Sequence, residues 1–254
     1  MNIKNVTRTM LVATVALVSQ AIQAAPITYD FSSLATAPGG NLEVSTTTLG
    51  PITINAYYFT AAGSWSAANI FVRNESGENG LGVCSPGESN CGPVGTGPGS
   101  FRGGGGDYNE LSNEVNIELI GLTLAAGWNW DQVFLSSLDC NGHSTCTSTS
   151  ISPDAEDAFL YYSSVVNPND RTGSNTVQIT HYYASGTNSS PSIAITGLAQ
   201  YANTLFFDTT GATGTNNDHL IWKAQVEQVP EPGTIALVGL GLVGLWWVNG
   251  KRRA

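Results

Sequence analysis

The run Asp107-Tyr108-Asn109-Glu110-Leu111-Ser112-Asn113-Glu114 is denser in oxygen-bearing side chains than the sequence around it. Calcium takes about six to eight oxygen ligands from such loops, backbone carbonyls included. Asp107, Asn109, Glu110, Asn113 and Glu114 therefore form a candidate cation set, with calcium as the ion and no other cofactor expected. The spacing is not that of an EF-hand, which needs a central Gly and a Glu at the twelfth position. The plainer alternative is that these side chains cap turns at the edge of a sheet.

Cys84, Cys91, Cys140 and Cys146 are the only cysteines. An even number of thiols favours disulfides wherever a chain enters an oxidising compartment. Three pairings can be written, and the close spacings favour Cys84 with Cys91 and Cys140 with Cys146. A rival reading has Cys140, His143 and Cys146 binding a metal, but it lacks a fourth ligand and needs reduced thiols. A Ser or Cys nucleophile would need a base from His143, His181 or His219. Gly63-Ser64-Trp65-Ser66-Ala67 lacks the second Gly of a nucleophile elbow, His181 falls within a strand pattern, and His219 beside Asp218 suits turn capping. Glu110 with Glu114, or Asp154, Glu156 and Asp157, could supply the two carboxylates of a glycosidase. With 18 acidic residues between Ala25 and Val229, such pairs arise by chance. No catalytic residue is assigned, and a non-enzymatic domain is expected. Trp65, Trp128, Trp130, Tyr161, Tyr162, Tyr182 and Tyr183 could stack on sugar rings if exposed in a row, although aromatic residues more often pack in cores.

The elements that must position these groups read as strands. Only 11% of the 254 residues are charged, while Gly, Ser, Thr and Asn abound. Apolar residues alternate with polar ones at Ile27, Tyr29 and Phe31; at Ile52, Ile54 and Ala56; at Val115, Ile117 and Leu119; at Val177, Ile179, His181 and Tyr183; and at Leu220, Trp222, Ala224 and Val226. A period of two marks half-buried strands. Shorter candidates lie at 69–73, 128–135, 159–163, 192–196 and 204–208. About ten strands joined by turns suit an all-β fold, a β-sandwich of jelly-roll type. Gly80 to Gly106 holds eleven Gly in 27 residues and reads as a long surface loop, because glycine loses the most backbone entropy on ordering. No Lys-Ser/Thr follows its Gly run, so it is not a phosphate cradle.

Between Ala25 and Val229 stand only Arg73, Arg102, Arg171 and Lys223 against 18 Asp and Glu, a net charge of −14. Such a surface repels phosphate backbones, so nucleic acid is not an expected partner.

Both ends look like processing segments. Residues 1–24 have a basic start at Lys4 and Arg8, an apolar run from Met10 to Val18, and small residues before a cut after Ala24. These are the three parts of a secretory signal helix, the substrate of a signal peptidase. At the other end, Pro230-Glu231-Pro232 precedes an uncharged apolar stretch from Thr234 to Val248 and a basic tail of Lys251, Arg252 and Arg253. As a helix the stretch would be short for a bilayer, yet it can span if its Trp and basic flanks reach the interfaces. The basic tail marks the cytoplasmic side. The expected organisation is a signal peptide at 1–24, a β-sandwich ectodomain at 25–226, and a C-terminal segment at 227–254 with one transmembrane helix.

The triplet, apolar helix and basic tail together resemble the PEP-CTERM sorting signal, a segment also labelled an ice-binding protein C-terminal domain without implying ice binding. The resemblance implies processing by an exosortase in bacteria that make extracellular polysaccharide. The expected path is an inner-membrane-tethered precursor, then the cell surface or a biofilm matrix. Gly80-Leu81-Gly82-Val83 ahead of the acidic run also resembles one class of exosortase-dependent surface proteins. This sequence departs from that pattern by inserting the Cys84 to Gly106 stretch and by having Ser112 where an acidic residue is common. Three roles follow: a structural or adhesive component associated with polysaccharide, a carbohydrate-binding module with or without calcium, or a polysaccharide-acting hydrolase.

Overall fold

The computed structural model describes residues 25–36, 39–75, 78–88, 91, 110–112, 115–137, 158–163, 176–179, 193–198, 203–208, 219–229, 239 and 241–242. The chain divides into a compact unit Ile27–Val226 and a second made of Met1–Pro26 with Glu227–Ala254. In the second, Gly239, Gly241 and Leu242 have helical backbone. Among the described residues no helix is long and apolar enough to cross a membrane. The signal segment 1–24 and most of the C-terminal segment, including Pro230, Glu231, Pro232, Lys251, Arg252 and Arg253, lie outside the described residues.

Fourteen strands are described: β1 Ile27–Asp30, β2 Gly39–Asn41, β3 Thr46–Leu49, β4 Ile52–Phe59, β5 Trp65–Ala67, β6 Asn69–Glu75, β7 Glu78–Cys84, β8 Glu118–Leu124, β9 Trp128–Ser136, β10 Ala158–Ser163, β11 Thr176–Ile179, β12 Ile193–Ile195, β13 Thr204–Asp208 and β14 Leu220–Gln228. They form two antiparallel sheets. Sheet I runs β12-β9-β14-β7-β6-β2 with β1 added to β14, and sheet II runs β11-β10-β13-β8-β4-β3 with β5 added to β4. From β7 onward the chain passes between the sheets at every connection except β10 to β11.

The fold is all-β because alternation puts one face of each sheet into a shared core. Ile52, Ile54 and Ala56 of β4, Ile120, Leu122 and Leu124 of β8, and Leu205 and Phe207 of β13 meet Ile70 and Val72 of β6, Leu81 and Val83 of β7, and Ala224 and Val226 of β14. Each fully buried Leu, Ile or Phe contributes roughly 1.5–3 kcal/mol. Phe31 begins a short 3-10 turn, Phe31–Leu34, and is itself buried in this core. Asp30 caps the turn by accepting from Ser32 N at 3.1 Å and pairs with Lys223 Nζ at 3.2 Å, fixing β1 beside β14.

Four expectations are corrected. Gly80 to Cys84 is not loop but the interior of β7, where Leu81 and Val83 are fully buried. Gly80, just ahead of them, serves close approach: with φ +138°, a Cβ there would stand 2.5 Å from the Ile221 carbonyl oxygen. The strand read from Val115 begins only at Glu118, and Val115 is exposed. On β8 the inward residues are Ile120, Leu122 and Leu124, while Leu119 packs with Trp65 and Phe206 in a separate cluster. In β14, Ile221 faces the core in addition to Ala224 and Val226, and Trp222 is half-buried. The inward parity thus slips by one residue between Ile221 and Ala224. The paired strand β9 shows the same slip, with Trp130 inward and then Val133 and Leu135.

Candidate functional site

The acidic run of the sequence enters the described structure at Glu110, Leu111 and Ser112, and these three residues form a strap between the sheets. Leu111 is buried in the core, and its backbone exchanges two hydrogen bonds with His219: Leu111 N donates to His219 O at 2.9 Å and His219 N to Leu111 O at 3.2 Å. His219 directly precedes β14, so this bridge fastens the strap to sheet I. One residue on, Ser112 N donates to Glu118 Oε2 at 3.1 Å and Glu118 N donates back to Ser112 O at 3.2 Å. Glu118 is the first residue of β8, so the same strap is fastened to sheet II. Asn116 adds a further tie, donating from Nδ2 to Ser85 Oγ and to the Pro86 carbonyl, each at 2.9 Å.

Glu110 has no solvent exposure, and its Oε1 accepts from the Arg73 guanidinium and from Ser137 Oγ at 2.6 Å. Arg73 comes from β6 and Ser137 follows β9, so one carboxylate ties two strands of sheet I to the strap. A buried carboxylate needs such a counter-charge, because taking it out of water costs several kcal/mol. Ser137 holds φ at +59°, a left-handed conformation that a non-glycine residue adopts at a cost of about 1–2 kcal/mol. Its neighbour Ser136 donates from Oγ to the Asn79 carbonyl at 2.5 Å, anchoring the end of β9 on β7.

The second acidic centre was not singled out by the sequence. Glu118 is fully buried, and its carboxyl lies within hydrogen-bond reach of the Glu88 carboxyl. Burial pushes Glu118 well above the usual carboxylate range, and the adjacent Glu88 charge pushes it the same way. Glu88 is itself held in place by Ser85 N, which donates to its Oε2 at 2.8 Å. The Ser85 hydroxyl also hydrogen-bonds the Glu118 carboxyl and lowers it in part, while among the described residues Glu118 Oε1 keeps no close donor and the buried Ser112 Oγ makes no hydrogen bond. The signal that could have revealed Glu118 is parity: it shares a face with Ile120, Leu122 and Leu124, an acid on an otherwise apolar stripe.

Cys84 and Cys91 form a disulfide with Cα atoms 5.7 Å apart. Their sulfurs lie near the Glu88 carboxylate, in a group compact enough for a metal. Both thiolates are consumed by the bond, so the trio offers no soft-metal site. The disulfide packs against Phe71 on the face of sheet I away from the core. Cys140, Cys146, His143 and His181 lie outside the described residues, as do Asp107, Asn109, Asn113, Glu114, Asp154, Glu156 and Asp157. Of the proposed cation set only Glu110 is described, and Arg73 occupies it. His219 is not in an exposed turn; it is fully buried at the bridge to Leu111.

The aromatic residues that could stack on sugars are placed inside where they are described. Trp130 is in the core, its Nε1 donating to Asn203 O at 3.3 Å. Trp65 is buried edge-on against Phe59 with ring centroids 5.2 Å apart. Trp128 is half-buried against the core. The burial of this outer cluster also pushes the Tyr57 phenol above its usual range. Tyr161, Tyr162, Tyr182 and Tyr183 have no described side chain.

No curated protein and no solved structure matches the chain. One family model does, over residues 228–253: the PEP-CTERM protein-sorting motif. The match takes in Pro230-Glu231-Pro232, the apolar stretch and the basic tail. The chain carries a PEP-CTERM protein-sorting motif, the mark of an exosortase-dependent, exported surface protein.

Proposed function

We propose that the β-sandwich is the cargo of this sorting signal and acts outside the cell as a non-enzymatic structural or adhesive component associated with extracellular polysaccharide. The observation that carries the reading is continuity: β14 ends at Gln228, and the sorting motif begins at the same residue. The folded unit and its address are thus one uninterrupted piece of chain. Use of the acidic side chains supports a structural role. Glu110 is committed to Arg73 and Ser137, and Glu118 is sealed from solvent beside Glu88. Glycosidases hold their carboxyls about 5 Å or more apart across an accessible bond, whereas Glu118 and Glu88 are in hydrogen-bond reach and Glu118 is inaccessible.

The test follows the protein in its producing cell by fractionation, mass spectrometry of both termini, and co-sedimentation with the cell's own polysaccharide. The expected result is a surface or matrix form cut close to Pro230-Glu231-Pro232 that sediments with polysaccharide, and a Glu231→Ala variant held in the membrane. A surface form with its C-terminus intact would overturn the sorting reading. Loss of the C-terminal segment without any polysaccharide association would overturn the adhesive one.

A further inference from the structure

We infer that Glu118, Glu88 and Ser112 form a binding site for a hard divalent cation, calcium foremost, where the strap joins sheet II. Three observations converge. Glu118 places its carboxylate on the core-facing side of β8, where the Ser85 hydroxyl and the Ser112 N–H serve it and Oε1 keeps no close donor among the described residues. The Glu88 carboxyl lies within hydrogen-bond reach of it, oriented by the Ser85 backbone N–H. Among the described residues the buried Ser112 hydroxyl makes no hydrogen bond, although its own backbone N–H is bound by Glu118 Oε2. Buried polar atoms are almost always satisfied in folded proteins. Unpaired oxygens on two residues already joined by two hydrogen bonds, with a second carboxyl in reach of Glu118, suit a cation bound between them.

The donor chemistry selects the ion. All three groups offer oxygen, which suits calcium or magnesium and does not suit zinc or copper, whose sites draw on sulfur and imidazole. The nearby sulfurs are closed in the Cys84–Cys91 disulfide, and the nearest described guanidinium, Arg73, serves Glu110. Calcium tolerates irregular oxygen sets and completes them with water or backbone carbonyls, whereas magnesium demands a near-octahedral one. The site differs from the set read in the sequence, sharing with it only the acidic run from which Ser112 comes. It also stands independently of what the surface protein adheres to. Calcium would neutralise the two carboxyls and so lock the strap to sheet II.

The experiment titrates calcium chloride into the full chain, purified in detergent and stripped with EDTA, by calorimetry and by thermal unfolding. Affinity in the range about 10⁻⁴–10⁻³ M, typical of extracellular calcium modules, is expected, with a raised Tm. Glu118→Gln should weaken calcium binding at least tenfold and abolish the Tm rise, while Glu43→Gln, which removes an exposed carboxylate, should change neither. Glu88→Gln, at a less buried position, gives the same readout if Glu118→Gln does not fold. The proposal is overturned if the wild-type chain takes up no calcium, or if binding survives unchanged in the Glu88 or Glu118 variant. A chain whose stability follows pH alone, with no response to calcium, would mean that a proton is the sole occupant between the two carboxyls, which also overturns it.

Discussion

At the scale of single residues, Arg73 and Glu110 are unequal partners in one bond. Replacing Arg73 by Met leaves a carboxylate buried beside a lost counter-charge, and removal of one member of such a pair costs about 3–5 kcal/mol. The double replacement Arg73→Met with Glu110→Leu removes both charges and is expected to lose less than either single change, read from urea unfolding of all four chains. Ser137 separates two effects. Ser137→Ala keeps the left-handed strain and loses the hydrogen bond to Glu110, whereas Ser137→Gly loses the same bond but relieves the strain. The glycine variant should therefore be the more stable of the two by roughly 1 kcal/mol. Glu118 sets the pH response. Its carboxyl is raised in the folded chain by burial and by Glu88, so the folded state holds a proton that the unfolded state releases. Stability from this group is full below the ordinary carboxylate range and falls as pH climbs from that range through the raised value. In EDTA, denaturation midpoints should drop as pH rises above the ordinary carboxylate range, and Glu118→Gln should flatten that slope.

At the scale of elements, alternation made most strands legible and hid two facts. β4 could be read because polar residues punctuate its apolar positions. β8 could be placed only in part, since Leu119 and Ile120 are both fully buried on opposite faces, and a strand covered on both sides carries no usable period. β7 was hidden by its glycines, whose meaning depends on a partner far away in sequence. Gly80 lets the backbone of β14 approach, and Gly121 gives up its side chain to the Phe206 ring, which a Cβ would meet at 2.9 Å. Gly121→Ala is thus expected to cost about 1–3 kcal/mol by overpacking, measured as a lowered Tm. The strap was invisible for another reason. The sequence showed Glu110 as one acid among many, and only folding brings Arg73, Ser137 and His219 to it from three separate strands or their ends. The Cys84–Cys91 bond staples the loop that delivers Glu88. Closing so short a loop stabilises by about 2–3 kcal/mol, so Cys84→Ala with Cys91→Ala should lower Tm and, through Glu88, weaken calcium binding.

At the scale of the whole molecule, the sorting motif was readable from its order of parts, because a triplet, an apolar run and a basic tail are local features. What the sandwich adheres to was not readable in that way, since recognition surfaces are assembled from distant segments. The junction between the two has a mechanical consequence. β14, the strand that continues into the motif, has β9, β7 and β1 as neighbours and is interior to its sheet. A pull applied to the end of β14 along its own axis would load its ladders together in shear, where an edge strand would peel open one rung at a time. A domain hung from the middle of its own sheet is a stiff link: under load it should hold to a high force and then yield abruptly.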